Sequence, residues 1–268
     1  MHPIPAARTA VQPPSPCSPL PPKPKKCYNP FMKRPPFPRA VSSIPDQGGI
    51  KQMHEPILGV IFDLDGVIVS TDDCHYLAWK RMADEEGIPF DRKVNERLRG
   101  VSRMASLEII LEKATKAYTE EQKVEMATRK NGYYVELIQK LTAQDMLPGA
   151  MDTLDMLKKR GVKIAIGSSS KNTPIILRQI GLSSYFDAVA DGNQITHSKP
   201  DPEVFLLGAK LLHLDPKNCM VVEDADAGVE AALNGGMRVL GVGSASTNPK
   251  ATFTADSLAD ANFDEILK

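Results

Sequence analysis

GVIFDLDGVIVS, residues Gly59 to Ser70, decides how the chain is read. Val60, Ile61 and Phe62 read as a buried strand. Two carboxylates, Asp63 and Asp65, follow at its tip, with Gly66 behind them. Residues two apart point the same way along a strand, so both carboxylates can face one site. Gly66 permits tight backbone geometry after them. An Asp after a strand is also a common helix N-cap, so the pair alone leaves a purely structural role open.

Outward from this stretch, strands and helices alternate. ILGVIF is a strand, and MDTLDMLKKRG a helix that follows Pro148 and Gly149 and closes at Gly161. VKIAIG, FDAVAD, CMVVE and RVLGVG read as further strands. TPIILRQIG, PEVFLLGAKLLHL and AGVEAALNGG read as the intervening helices, the first with Pro174 in its opening turn and Gly181 at its end. This rhythm predicts an α/β fold: a Rossmann-like three-layer core with a mainly parallel sheet covered on both faces. Ligands in such folds bind at the carboxyl ends of the strands.

Residues 72–141 break the rhythm and look all-helical. CHYLAWKRMADEEG carries His75, Ala78, Trp79 and Met82 on one stripe, and SLEIILEKA reads as a second helix. TEEQKVEMATRKNGYYVELIQKL opens with a capping box, Thr119 and Gln122. Val124, Ala127, Asn131, Tyr134 and Ile138 share a stripe there, with Asn131 polar on an apolar face and Lys130 beside it. The expected organisation is a tail over 1–55, a first core part over 56–71, a small helical cap over 72–141 inserted after the first strand, and a second core part over 142–268.

The strand ends collect chemistry. Ser168, Ser169, Ser170 and Lys171 close the VKIAI strand, Lys199 follows FDAVAD, and Glu223 with Asp224 closes CMVV. Taken singly, each is an ordinary turn, cap or solvated residue. Together, four carboxylates at one sheet edge repel each other unless a cation lies between them, and oxygen-only ligands suit Mg²⁺. The lysine and the serine-rich loop suit phosphate oxygens. A carboxylate can attack phosphorus to give an aspartyl-phosphate. A second carboxylate can protonate the leaving oxygen and later deprotonate an attacking hydroxyl. Asp63 is thereby the expected nucleophile and Asp65 the expected general acid/base.

Composition bounds the rest. Lys and Arg total 33 and Asp and Glu total 33, which gives no basic face for nucleic acid. No apolar run is long enough for a membrane span. Cys17, Cys27, Cys74 and Cys219 lack metal-ligand spacing, as in a reducing compartment. The first 55 residues are rich in proline and carry Lys and Arg but no acid before Asp46. Such a segment reads as disordered. It is either an organelle (plastid or mitochondrial) transit peptide, or a polyproline-like tail or extension preceding a cytoplasmic enzyme. PPSPCSPLPPKPKK also suits an SH3-like or WW-like partner.

DLDGV, the serine of IGSSS, the lysine of SKPDP, and EDADAG together resemble the haloacid dehalogenase superfamily of phosphotransferases, over about residues 57–268. In the cap, HYLAW, LRGVSRMASL and ATRKNGYYVELI are similar to its β-phosphoglucomutase family. That resemblance implies a Mg²⁺-dependent transfer from an aspartyl-phosphate to β-glucose 1-phosphate. β-Glucose 1,6-bisphosphate is the intermediate and primer, and glucose 6-phosphate the product. It implies Asp63 as phosphorylated nucleophile, Asp65 as acid/base, and Asp63, Asp65 (through its carbonyl), Glu223 and Asp224 as one Mg²⁺ site. Ser168 and Lys199 would bind the transferring phosphoryl group. Arg103, with Ser170, Lys171 and Asn172, would hold the distal phosphate. His75, Trp79, Gly100, Val101, Ser102, Ser106, Lys130 and Asn131 would meet the substrate, with His75 coupling cap closure to Asp65.

Two departures stand out. Val69 and Ser70 replace the Thr-Asp frequent after DGVI, which affects the hinge, and Ala225 replaces a common serine. The competing expectations are a sugar-phosphate phosphatase, in which water attacks the aspartyl-phosphate, and a non-catalytic regulator that retains the fold. The partner is a small sugar phosphate, with neither nucleic acid nor membrane, and a monomer is expected.

Overall fold

The computed structural model describes residues 55–98 and 101–268. The expectations placed on residues 1–54, and that for Gly100, therefore lie outside the described residues. Among the described residues, no helix is long and apolar enough to cross a membrane.

In chain order the elements are β1 (Gly59–Phe62), α1 (Asp72–Glu85), α2 (Arg92–Glu96), α3 (Arg103–Leu111), α4 (Glu120–Ile138), α5 (Ala150–Lys159), β2 (Lys163–Gly167), α6 (Thr173–Gln179), β3 (Ala188–Ala190), α7 (Glu203–Leu212), β4 (Cys219–Glu223), α8 (Asp226–Asn234), β5 (Arg238–Gly241), β6 (Phe253–Thr254) and α9 (Phe263–Ile266). The six strands form one parallel sheet in the order β3-β2-β1-β4-β5-β6. β1 lies inside the sheet, and the chain winds from it to β2 and β3 on one side before crossing to β4, β5 and β6 on the other. A crevice opens at the carboxyl end of such a strand, where the order reverses.

β1 is apolar throughout because both its faces are covered. Val60 and Phe62 enter one cluster with Leu154, Ile164, Ile166 and Val222. Ile61, one residue out of phase, enters the other with Phe205, Ala165 and Val221. A parallel sheet with helices on both sides requires this double burial. Asp63 is the first residue beyond the strand, yet its N–H still bonds the Val222 carbonyl at 2.9 Å. That bond carries the carboxylate out along the line of the sheet.

A third cluster, including Trp79, Met82, Phe90, Leu107, Ile110, Met126 and Ala127, lies among α1 to α4. The capping box at the start of α4 forms as expected, with Thr119 and Gln122 satisfying each other's backbone N–H. The buried face of α4 differs from the expected stripe. It runs through Met126, Ala127, Lys130, Tyr134 and Ile138, while Val124 is 56% exposed and Asn131 is only partly covered. At 100° per residue, Met126 and Lys130 rotate the buried arc away from Val124 and Asn131. α3 begins at Arg103, three residues before the expected start, because the Ser102 hydroxyl caps it by accepting from the Ala105 N–H. Ser106, expected at the helix start, is a buried residue inside it. The short α2 and α9 and the two-residue β6 have no counterpart in the periodicity.

Candidate active site

Asp63, Lys199, Glu223 and Asp224 come together at the carboxyl ends of β1 and β4. The buried Lys199 ammonium donates to Asp63 at 2.6 Å and to Glu223 at 2.9 Å. Oxygens of Asp63, Glu223 and Asp224 lie within 4.8 Å of one another. Two glycines allow this crowding. A Cβ on Gly66, whose φ is +83°, would lie 2.2 Å from Asp224 Oδ2, and one on Gly228 would lie 2.0 Å from Glu223 Cδ.

The electrostatics follow from burial. Loss of water, then the charges of Glu223 and Asp63, push the Asp224 carboxyl up to about 8. Burial also raises Glu223, against the pull of Lys199. Burial would lower Lys199, but the charges of Asp63 and Glu223 override it and hold the ammonium above its ordinary range. One lysine thus leaves three clustered carboxylates under-neutralised. All of their donors are oxygens, the set that a hard divalent cation such as Mg²⁺ takes, so these residues fit that ion.

Asp65 is held on the other side of the turn. Its Oδ1 accepts from the Thr71 N–H at 2.7 Å and its Oδ2 from the Thr71 hydroxyl at 2.5 Å. Burial raises its carboxyl to about 6, against the lowering effect of those two bonds. Thr71 sits in the N-cap position of α1 but makes no side-chain cap bond. Its oxygen is committed to Asp65 instead. The threonine contact to Asp65 is made from position 71, beyond the Val69 and Ser70 departure. The Ala225 N–H donates to Glu223 Oε1 at 3.3 Å.

Lys130 is 3% exposed and sits 3.0 Å from His75 Nδ1, with its ammonium 4.7 Å from the Trp79 ring centre. Burial, then the charge of Arg103, lowers Lys130 to about 7. Burial, then Lys130 and Arg103, holds His75 well below its usual range. When Lys130 is charged it only donates, and the imidazole proton then sits on Nε2. That nitrogen lies 3.7 Å from Asp65 Oδ2.

The β2 loop forms the third wall. Ser168 is buried, its hydroxyl accepts from Ser170 N–H at 3.2 Å, and the Ser170 hydroxyl accepts from Asn172 N–H at 3.2 Å. Lys171 is exposed. Asn131 Oδ1 accepts from Arg103 at 2.8 Å and from the Asn172 amide at 3.1 Å, which joins α3, α4 and the β2 loop. The expected Val101, Ser102 and Ser106 contribute local contacts at the start of α3, where the Ser106 hydroxyl donates to the Val101 carbonyl at 3.4 Å.

Thr71 and the hydroxyl of Tyr134 were not among the expected site residues. Tyr134 donates to Thr71 Oγ1 at 3.0 Å. A threonine directly before the acidic start of α1 reads as a helix cap in sequence, and only the fold shows its oxygen turned to Asp65.

The model of the haloacid dehalogenase-like hydrolase family matches residues 57–236. The chain belongs to that family. Among curated relatives, it is 47% identical over 186 residues to a β-phosphoglucomutase of Bacillus subtilis, covering 69% of this chain and 82% of that one. It is 32% identical to a phosphorylated carbohydrates phosphatase of Thermotoga maritima, covering 78% of this chain and 95% of that one. The crystal structure of a β-phosphoglucomutase from Clostridium difficile superposes with a TM-score of 0.72 at 44% identity, covering 78% of this chain and 95% of that one. This chain's relatives thus include both a β-phosphoglucomutase and a phosphatase of phosphorylated carbohydrates.

Proposed function

We propose that the chain is a β-phosphoglucomutase, interconverting β-glucose 1-phosphate and glucose 6-phosphate. The observation that carries this reading is the Asn131 junction. It sets the Arg103 guanidinium of α3 beside Asn172 of the β2 loop through Asn131 Oδ1, whereas Asp63 is paired with Lys199. A bisphosphate intermediate needs such a second anion site, and a simple monoesterase does not. The 47% identity to the Bacillus enzyme supports the same reading.

In this scheme Asp63 attacks phosphorus and becomes the aspartyl-phosphate. Asp65 gives its proton to the leaving sugar oxygen and later takes one from the attacking sugar hydroxyl. Lys199 and Ser168 hold the oxygens of the transferring group. Arg103, Ser170, Lys171 and Asn172 hold the phosphate at the other end of the sugar. His75, Trp79, Lys130, Asn131, Val101, Ser102 and Ser106 shape the sugar's surroundings. Asp63, Glu223 and Asp224, with the Asp65 carbonyl, would hold Mg²⁺. When bound, that ion offsets the carboxylate charge and polarises a phosphoryl oxygen. Residues 72–141 act as a cap on a core of residues 56–71 and 142–268, and their closure excludes water in favour of sugar.

The phosphatase reading rests on the Thermotoga relative and differs only in what attacks the aspartyl-phosphate. The two separate in one assay. The protein is supplied with Mg²⁺, β-glucose 1-phosphate and a trace of glucose 1,6-bisphosphate, and both products are followed. Glucose 6-phosphate with little inorganic phosphate supports the mutase; inorganic phosphate without isomer supports the phosphatase.

A further inference from the structure

The hydroxyl of Tyr134 has no part in the scheme above, yet it is placed with care. Tyr134 is 1% exposed, and Thr71 is fully buried. The phenol bonds Thr71 Oγ1 at 3.0 Å, and Thr71 Oγ1 bonds Asp65 Oδ2 at 2.5 Å. An ionised carboxylate only accepts, so the single Thr71 hydroxyl proton points to Asp65. Thr71 Oγ1 must then accept from Tyr134. Burial, then the charge of Asp65, raises the phenol far above its ordinary range, so it stays a donor. With Asp65 ionised, the chain runs one way: Tyr134 to Thr71 to Asp65.

We propose that Tyr134 is a positioning residue for the acid/base step, acting through Thr71. This rests on the reading of Asp63 and Asp65 given above. As the bridging P–O bond breaks and the bond from phosphorus to Asp63 forms, Asp65 passes its proton to the leaving oxygen and becomes a carboxylate. The new charge is met by the two Thr71 donors, and the Tyr134 O–H holds one of them in line. Hydrogen bonds in such a chain polarise one another, which strengthens the grip on the charge as it appears.

α4 brings this about by register. Lys130 reaches His75, Asn131 reaches Arg103 and Asn172, and Tyr134, one turn further on, reaches Thr71. The Tyr134 ring packs on His75 at 4.2 Å between centroids. The same helix therefore holds the cap's contact with the β2 loop and the orientation of Asp65.

The test compares two esters that differ in their need for a proton. Phenyl phosphate has a basic leaving group and requires general acid help; p-nitrophenyl phosphate leaves without it. The burst of phenol under single-turnover conditions would be measured for the full chain with Mg²⁺, and for Tyr134→Phe, Thr71→Val and the double variant. Tyr134→Phe keeps the ring that packs on His75 and removes only the hydroxyl. Its burst rate is expected to fall about tenfold with phenyl phosphate, the worth of one good hydrogen bond, but under about threefold with p-nitrophenyl phosphate. The double variant should match Thr71→Val alone. Equal losses on the two esters, or additive losses in the double variant, would overturn the proposal. Wild-type protein with no burst on either ester would overturn the underlying assignment of Asp63 and Asp65 instead.

Discussion

Replacing Lys199 by Met tests whether the strand-end charges are arranged as described. The ammonium is 8% exposed and contacts Asp63 at 2.6 Å and Glu223 at 2.9 Å. At an effective dielectric near 20, each contact is worth roughly 6 kcal/mol before desolvation. Desolvation consumes much of that, but removing one partner of a buried set strands the others. The typical cost of doing so is about 3–5 kcal/mol. The stranded carboxylates can escape by binding a proton. Glu223 is already raised by burial and Asp224 stands at about 8, so the variant's folded state binds more protons than the wild type near neutrality. A folded state with the higher proton affinity loses stability as pH rises. The loss should therefore be about 3–5 kcal/mol near pH 8 and about 1–2 kcal/mol smaller near pH 6. Urea unfolding of metal-free wild type and variant at the two pH values measures both. A loss below about 1 kcal/mol, or one that does not change with pH, would refute the reasoning.

Three further outcomes follow. Asp63→Asn should abolish both turnover and the acid-stable labelled phosphoenzyme, and trapped phosphate on the variant would remove Asp63 from its role. Arg103→Ala should lower isomerisation of β-glucose 1-phosphate by about 10²-fold or more, but hydrolysis of a small aryl phosphate by less than about threefold, since only in the former is one phosphate held at the distal site while another is transferred. The metal-free protein should lose stability as pH rises from about 4 to about 8, because Asp65 at about 6 and Asp224 at about 8 lie above their unfolded values. Mg²⁺ should restore most near the upper end of that range, read as the shift in melting temperature on adding it.

β1, β2 and β4 were legible because their inner residues are apolar and buried and each ends at a polar turn, whereas the two-residue β6 carries no such signal. Asp63, Ser168, Glu223 and Asp224 sit at those ends, so the expected parallel order of the strands already gathered them at one edge. Lys199 lies in the loop that follows β3, so its place after the FDAVAD strand put it at the same edge, and the family motif added its role. The helices α1 to α4 were harder to read. Buried Lys130 looked like the flank of an apolar stripe, because its neutralising surroundings, His75, Trp79 and Tyr134, are assembled from two helices. Thr71 was hidden for the opposite reason. Its sequence context satisfies a local capping rule, and the long-range bond to Asp65 that it makes instead has no local signature.

The most direct test of the central claim follows the fate of the phosphoryl group. The protein, primed with a trace of glucose 1,6-bisphosphate in Mg²⁺, would be given β-glucose 1-phosphate, with the α-anomer as control. Glucose 6-phosphate and inorganic phosphate would be measured together. Glucose 6-phosphate from the β-anomer alone, with little free phosphate, is the predicted result. Stoichiometric phosphate release without isomer would contradict it, since water rather than the sugar would then be reaching the aspartyl-phosphate beneath the cap.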